Sequence, residues 1–169
     1  DHLVPDAGDG HAAEAAARGE EGVLISGPTA LSTPAGVARI NIESADELQR
    51  QVQKHAGKKD ILIMAAAVAD SKPAKVSKTK IPHGALSQIA LKANPDVLAE
   101  LGKSKARPKY VVGFALEVGS DGKNAIRKLK EKYLDMIVMN DPTQPGIGFG
   151  GDYNRATIFT AKGKPIEVE

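Results

Sequence analysis

The sequence predicts an α/β fold: a Rossmann-like three-layer sandwich with a mainly parallel sheet, a closing β-hairpin and a lysine-rich flap. Three observations predict it. Short apolar runs alternate with helix-period segments along the chain, the order of a parallel sheet wound with crossover helices. The run "DILIMAAAVAD" (60–70) is apolar without a break, as a parallel strand covered on both faces is. Start and stop residues bracket the helical segments. A chain of 169 residues suits one domain, taken here as 1–169, with a sizeable core.

The elements follow in order. "VLIS" (Val23–Ser26) is a short apolar run closed by the breaker "GPT", and reads as a buried strand. "VARINI" (Val37–Ile42) alternates and reads as a second strand. In "SADELQRQVQKHAG", Ser44 is a good N-cap, Glu47 completes a capping box, and Gly57 stands where a helix stops. The third strand is the run at 60–70, with Asp70 at its end. Residues 71–83 carry four lysines and two prolines and read as a mobile flap. "LSQIALKA" (86–93) reads as a further strand. "NPDVLAELG" (94–102) reads as a helix with Asn94 as cap, Pro95 at its first position, Asp96 near the positive end of its dipole and Gly102 as stop. "KYVVGFAL" is a strand. "NAIRKLKEKYL" is a helix with Ile126, Leu129 and Tyr133 on its apolar face. "DMIVMND" is a strand, and "ATIFTAKGKPIEV" is the closing hairpin.

Composition narrows the function classes. The chain has no cysteine, which excludes disulfides, thiolate metal sites and cysteine nucleophiles and accords with a cytoplasmic protein. No apolar run approaches the roughly 20 residues of a membrane helix, so no membrane association is expected. The net charge of +2 is unevenly placed: residues 72–132 hold fourteen bases and five acids, whereas residues 1–21 hold six acids and one base. That basic excess favours an anionic ligand. Three Phe, three Tyr and no Trp leave few stacking platforms, so nucleic acid is not expected. The four histidines show no metal spacing.

"GIGFGG" contains the letters of a dinucleotide fingerprint at Gly146, Gly148 and Gly151. Such a fingerprint must open a helix, so that the pyrophosphate meets the helix N-terminus. Here the glycines lead into the strand "ATIFT", and a nicotinamide or flavin oxidoreductase is not expected. In open α/β sheets, ligands bind beyond the carboxyl ends of strands. Those ends are "GPT", "AAAVAD", "GFALE" and "MND". Small residues at 65–67 admit a ligand close to the backbone. Asp70 is either an edge carboxylate of the site or a turn cap. Lys128 and Lys132 stand i, i+4 on one helix. With Lys80 at the end of the flap they would make a triphosphate clamp, against the ordinary alternative of solvated surface lysines.

"MAAAVADSKP", the lysine of "KI" at position 80, "LKANPDVLAELG", "VVGFALE", "KLKEKYLDMIVMND" and "QPGIGFGGDYN" occur in this order. Together they resemble the phosphopantothenoylcysteine synthetases, and "LISGPTALSTPAGVARINIESADEL" (24–48) matches that family as well. The resemblance covers roughly residues 10–165. It implies a CTP-dependent ligase of coenzyme A biosynthesis that joins 4'-phosphopantothenate to cysteine through an acyl-cytidylate, with CTP as substrate and Mg²⁺ as cofactor. It implies that Met64, Ala65, Ala66 and Asp70 line the nucleotide pocket and that Lys80 reaches the triphosphate. Asn94, Pro95, Asp96 and Val97 would set a helix N-terminus near the nucleotide, Phe114 would offer a ring face, and Lys128 and Lys132 would complete the clamp. It also implies a homodimer, with 71–93 as exchange surface, and a flavin-dependent decarboxylase fused or separate. No flavin is expected in this domain.

The family's N-terminal strand and its Asn-bearing "TNRSSGKMG" segment have no match in "DHLVPDAGD", whereas "GHAAEAAARG" resembles the helix that follows them. Catalytic residues are therefore unassigned, Lys80 being one candidate. Ser71 stands where the family commonly has an aromatic, and Tyr133 where it commonly has Asn. A non-catalytic nucleotide- or partner-binding subunit of the same fold is the alternative reading.

Overall fold

The computed structural model describes residues 6–85, 87–119, 121–141, 143 and 155–168. In chain order the elements are α1 (Asp6–Ala17), β1 (Gly22–Ser26), β2 (Val37–Asn41), α2 (Ala45–Ala56), β3 (Ile61–Met64), β4 (Ser71–Pro73), β5 (Leu91–Ala93), α3 (Val97–Gly102), β6 (Tyr110–Leu116), α4 (Lys123–Glu131), β7 (Met136–Asn140), β8 (Ala156–Thr160) and β9 (Ile166–Val168). The main sheet has five strands in the order β3-β6-β7-β8-β9. β3, β6 and β7 run parallel, and β8 and β9 return as an antiparallel hairpin. β1 and β2 form a separate parallel pair, and β4 and β5 a short antiparallel arm. The expected mainly parallel α/β architecture and closing hairpin are present.

Strand alternation decides which helix covers which face. Val111 and Ala115 of β6 pack with Ala125 and Leu129 of α4, Ile137 and Met139 of β7, and Phe159 of β8. Leu62 of β3 touches this cluster and a second one, built from Leu48, Val52 and Ala56 of α2 with Val97 and Leu101 of α3. Helices α2, α3 and α4 therefore share one face of the sheet. The other face carries Phe114, against which His11 of α1 sets its ring at 5.4 Å between centroids. α1 packs on β1 and β2 and thus forms the third layer.

Several local expectations change. β3 is parallel but not covered on both faces: Ile61 and Ile63 are 57% and 48% exposed, because β3 ends the five-stranded sheet on the uncovered side. Its run stops at Met64, and Asp70 lies in the bend that enters β4. The strand expected over 86–93 is confined to Leu91–Ala93. The cap of α3 is Asp96, whose side chain accepts from the Ala99 amide, so the helix begins two residues after the expected start. Asn94 instead bonds backward, donating its amide to the Asp70 carbonyl and its side-chain nitrogen to the Ala69 carbonyl, both at 2.8 Å. The α2 capping box of Ser44 and Glu47 forms as expected. Residues 71–83 are not a uniform flap: β4 anchors their start, and Lys72 pairs with Asp46 near the first turn of α2.

The apolar stripe of α4 is also displaced. Its buried residues are Ala125 and Leu129, while Ile126 is exposed. The helix ends at Glu131, and Tyr133 adopts φ 56, a left-handed conformation that tyrosine fills poorly and asparagine fills well. That turn lies against α3, where a Cβ on Gly102 would come within 2.7 Å of the Lys132 carbonyl oxygen. Relief of the backbone strain makes Tyr133→Asn more stable by up to about 1 kcal/mol, seen as a melting temperature higher by a few degrees. Gly102→Ala has the opposite sign, a loss of about 1–3 kcal/mol by overpacking on backbone.

Candidate functional site

The parallel strands β3, β6 and β7 discharge their loops at one edge, where Ala65–Asp70, Glu117–Gly119 and Asp141 follow. The loop after β1, 27–36, emerges at the carboxyl end of its own parallel pair. One side chain braces it. The Arg39 guanidinium donates to the Leu31 carbonyl at 2.8 Å, the Ser26 hydroxyl at 2.9 Å and the Asn41 side-chain oxygen at 2.9 Å. Ala65 is half-buried and Ala66 exposed, so the backbone after β3 is open to approach.

Lys128 lies in α4 and Lys132 caps its C-terminal end, rather than both lying within the helix, and each meets a carboxylate. Side chains on a helix lean toward its N-terminus. From the last turn of α4, Lys128 Nζ reaches Glu117 Oε1 at 3.1 Å. Just past the helix end, Lys132 Nζ reaches Asp96 Oδ2 at 3.1 Å. Glu117 is buried, with its side chain only 7% exposed, so Lys128 offsets a charge in a poorly solvated position. Asp96 is half-exposed and also caps α3. Lys80 is exposed and has no ion-pair partner among the described residues. Asp70 is exposed likewise.

Not all of the expected pocket is on one side. Met64 pairs in register with Gly113, packs toward the second core cluster and shares the face of α2 and α3. Phe114 lies on the opposite face, against His11. Val97 is buried inside α3 and serves packing. Pro95 is half-buried. The side-chain oxygen of Asn94 is buried and has no hydrogen-bond partner among the described residues. Glu117, Arg39 and Asp141 were not singled out from sequence. The signal for Glu117 was legible as a charged residue ending the apolar run "GFALE".

Among the described residues no three His, Asp or Glu side chains converge as a metal cage. Mg²⁺ is normally held by one or two carboxylates together with substrate phosphates, and Asp70 at the edge suits that smaller role. The glycine-rich segment, Gly146, Gly148 and Gly151, lies outside the described residues. The element after it is β8, antiparallel to β7, and not a helix. No described helix is long and apolar enough to cross a membrane.

With this geometry in view, the comparisons decide the family. The family model of the DNA/pantothenate metabolism flavoprotein C-terminal domain matches residues 7–169. The chain belongs to that family. It is 37% identical over 159 residues to the coenzyme A biosynthesis bifunctional protein CoaBC of Escherichia coli K12, covering 92% of this chain and 39% of that protein. It is 41% identical over 160 residues to the Bacillus subtilis 168 protein of the same name, again 92% and 39%. A prokaryotic protein named cysteine/cysteine sulfinic acid decarboxylase is 42% identical over 147 residues, 86% of this chain and 41% of that one. The chain thus spans about two fifths of the curated relatives it matches. Among solved structures, the C-terminal domain of CoaBC superposes with a TM-score of 0.76 at 34% identity, over 94% of this chain and 69% of that one. The DNA/pantothenate metabolism flavoprotein of Streptococcus pneumoniae shares the fold, with a TM-score of 0.73 at 21% identity.

The loop after β7 has a titratable latch. Asp141 accepts from the Thr143 hydroxyl at 2.7 Å, the Thr143 amide at 2.9 Å and the Gly119 amide at 3.0 Å. These donors, the Thr143 hydroxyl first, hold its pKa below the ordinary value of 3.8. A lowered carboxylate pKa contributes order above the unfolded value, which is lost as pH falls through the folded one. The amide resonances of Gly119 and Thr143 should therefore stay fixed from pH 7 to about 4 and move only below it. Asp141→Asn should shift both already at pH 7.

Proposed function

We propose that this chain is the nucleotide-binding core of a phosphopantothenoylcysteine synthetase, a CTP-dependent ligase of coenzyme A biosynthesis. The observation that carries the reading is the likeness to the CoaBC C-terminal domain over 94% of the chain. In this reading a carboxylate oxygen of 4'-phosphopantothenate attacks the α-phosphorus of CTP and pyrophosphate leaves. The cysteine amine then attacks the acyl carbon of the acyl-cytidylate and CMP leaves. Both steps develop charge on phosphate oxygens, which fixed cations stabilise.

The residues divide that work. Met64, Ala65 and Ala66 provide close backbone approach beside the nucleoside. Asn94 offers its unpartnered side-chain oxygen to a donor on the ligand, and Pro95 with Asp96 fixes the turn that carries it. Lys132 and Lys80 are the cations free to turn toward the triphosphate, with Lys128 held behind them by Glu117. Mg²⁺, when bound, would supply further charge neutralisation on the phosphates, and Asp70 is the carboxylate that would hold it. Two copies would pair through the β4–β5 arm, whose Val76, Ile81, Ile89 and Leu91 are exposed apolar residues. The setting is the cytoplasm, beside a flavin decarboxylase that is fused or separate. The second reading, a nucleotide- or partner-binding subunit without chemistry, draws on one observation: Lys128 and Lys132 both already have carboxylate partners.

Lys80→Ala with Lys132→Ala should weaken CTP binding about 10- to 100-fold by calorimetry, corresponding to about 1–3 kcal/mol, more at low salt, and leave cytidine binding unchanged. Lys128→Ala alone should instead lower the melting temperature, because it removes the ion pair at 3.1 Å from a carboxylate that is buried. Phosphopantothenate-dependent release of pyrophosphate from CTP, followed by cysteine-dependent release of CMP, separates the two readings. CTP binding without either release assigns the non-catalytic role.

A further inference from the structure

The amino end of the main sheet carries a cavity that the candidate site does not use. β8 runs antiparallel to β7, with Thr160 opposite Met136. The turn from β8 to β9 therefore lies where the parallel strands begin, away from their carboxyl edge. α4 packs on β7 and β8. Ile158 pairs with Ile166, which sets Pro165 opposite Phe159 on the helix side of the hairpin. Between that pair and the flank of α4 lies a cavity of about 290 Å³. Its floor is the buried ring of Phe159, and its walls are Ile126 and Leu129 of α4 with Ala161 and Pro165 of the turn. The floor is fixed: the ring sits so close under the start of α4 that a Cβ on Gly122 would collide with it. Ile126, the apolar residue that α4 leaves 38% exposed, is exposed to this hollow.

The mouth of the cavity is basic. Lys130 lines it from α4, and Lys162 and Lys164 flank Gly163 on the turn. All three are exposed, and none has an ion-pair partner among the described residues. The neighbouring acids do not neutralise them. Glu131, beside Lys130, is held by Arg127 at 2.7 Å. Glu167 lies two residues past Pro165 on the same face and forms no ion pair among the described residues. The turn that presents two of the lysines has a set shape. The Thr160 hydroxyl donates to the Lys162 carbonyl at 2.8 Å, and Gly163 adopts φ 140, a conformation that favours glycine. A Cβ there would also stand 3.2 Å from Thr160 Oγ1. The backbone around the mouth is thus formed before any ligand arrives.

We propose that this cavity binds a small amphipathic carboxylate. Its apolar body rests on Phe159 between Ile126 and Pro165, and its carboxylate lies among Lys130, Lys162 and Lys164. Both halves of the ligand are needed. An anion with no apolar body meets only solvated surface lysines, an interaction worth little. An apolar body with no charge buries the walls but leaves the excess of cations at the mouth unopposed. Size favours a small molecule over a macromolecule. The volume of about 290 Å³ stands at the lower end of the roughly 300–1,000 Å³ of ligand pockets. Eight residues line the cavity, well short of the roughly 20–30 that a stable protein interface uses on each side. An occupant would bear on α4, the helix that also carries Lys128. The site stands on the cavity and its charges and does not depend on the nucleotide reading.

The test titrates octanoate, below its micelle concentration, into the chain while amide and methyl resonances are followed. The amides of Thr160, Ala161 and Gly163 and the methyls of Ile126 should shift together on one saturating curve, with a Kd of about 0.1–1 mM. Octan-1-ol and acetate, each carrying one half of the ligand, should bind at least about tenfold more weakly. Lys130→Gln, Lys162→Gln and Lys164→Gln combined should bring octanoate down to the affinity of octan-1-ol. Ile126→Gln should weaken both. All four positions are exposed, so the melting temperature should stay within a few degrees of that of the natural chain. Absence of a saturating shift at these residues, an equal response to octylamine, or affinity unchanged in the glutamine variants would each overturn the proposal. So would shifts centred on Ala66 and Glu117 at the carboxyl edge. A concentration-dependent change of elution volume that octanoate leaves unaltered, with the same resonances moving, would assign the cavity to a second copy of the chain instead.

Discussion

The starts of β6 and β7 are tied by one carboxylate. Asp135 Oδ2 accepts the Val111 amide at 2.7 Å and the Arg107 guanidinium at 2.6 Å, while the Asp135 amide donates to the Val111 carbonyl at 3.0 Å. Arg107 donates on to the Tyr133 carbonyl at 3.0 Å, so the same knot closes the turn after α4. A parallel ladder fixes register only weakly when both strands are uniformly apolar. Here "YVVGFAL" and "MIVMN" are so nearly uniform that a slip by two residues would preserve the pattern. The polar knot at the amino end removes that freedom, and the positions of Glu117 and Asp141 at the far end follow from it.

From register to site the path is short. With Val112 opposite Met136 and Leu116 opposite Asn140, alternation sends Val111 and Ala115 beneath α4 and Phe114 to the other face. The same alternation carries Glu117 to the α4 side, where Lys128 stands. The lysine partners are thus not a surface accident. They arise because a helix packed antiparallel on the sheet points its side chains back toward the carboxyl edge.

Much of this was legible in the sequence, and for definite reasons. The capping box at Ser44 is a local signal, and locally it held. The strands at 110–116 and 136–140 announced themselves by unbroken apolar runs. What failed depended on distant partners. The cap of α3 lies at Asp96 rather than Asn94 because Asn94 is recruited backward by the Ala69 and Asp70 carbonyls, 25 and 24 residues away. Tyr133 lies outside the buried stripe of α4 because the helix stops at Glu131 and Tyr133 turns left-handed. The exposure of Ile61 and Ile63 could not be read either, since an apolar run says what a strand could bury and not whether a neighbour is there to bury it.

The lysine pairs carry the last step. An anion that arrives at the carboxyl edge must compete with Glu117 for Lys128 and with Asp96 for Lys132, and the two contests are unequal. Asp96 keeps the Ala99 amide when Lys132 turns away, and it is half-exposed, so water replaces the lost cation at little cost. Glu117 is buried, and moving Lys128 away gives up an ion pair where water replaces it poorly. Of the two ion pairs, Lys132 with Asp96 is therefore the more readily exchanged and Lys128 with Glu117 the better held, which is the order the proposed nucleotide site would use. A basic edge built this way holds its shape when empty, because the carboxylates that occupy the lysines belong to α3 and β6, the elements that position them.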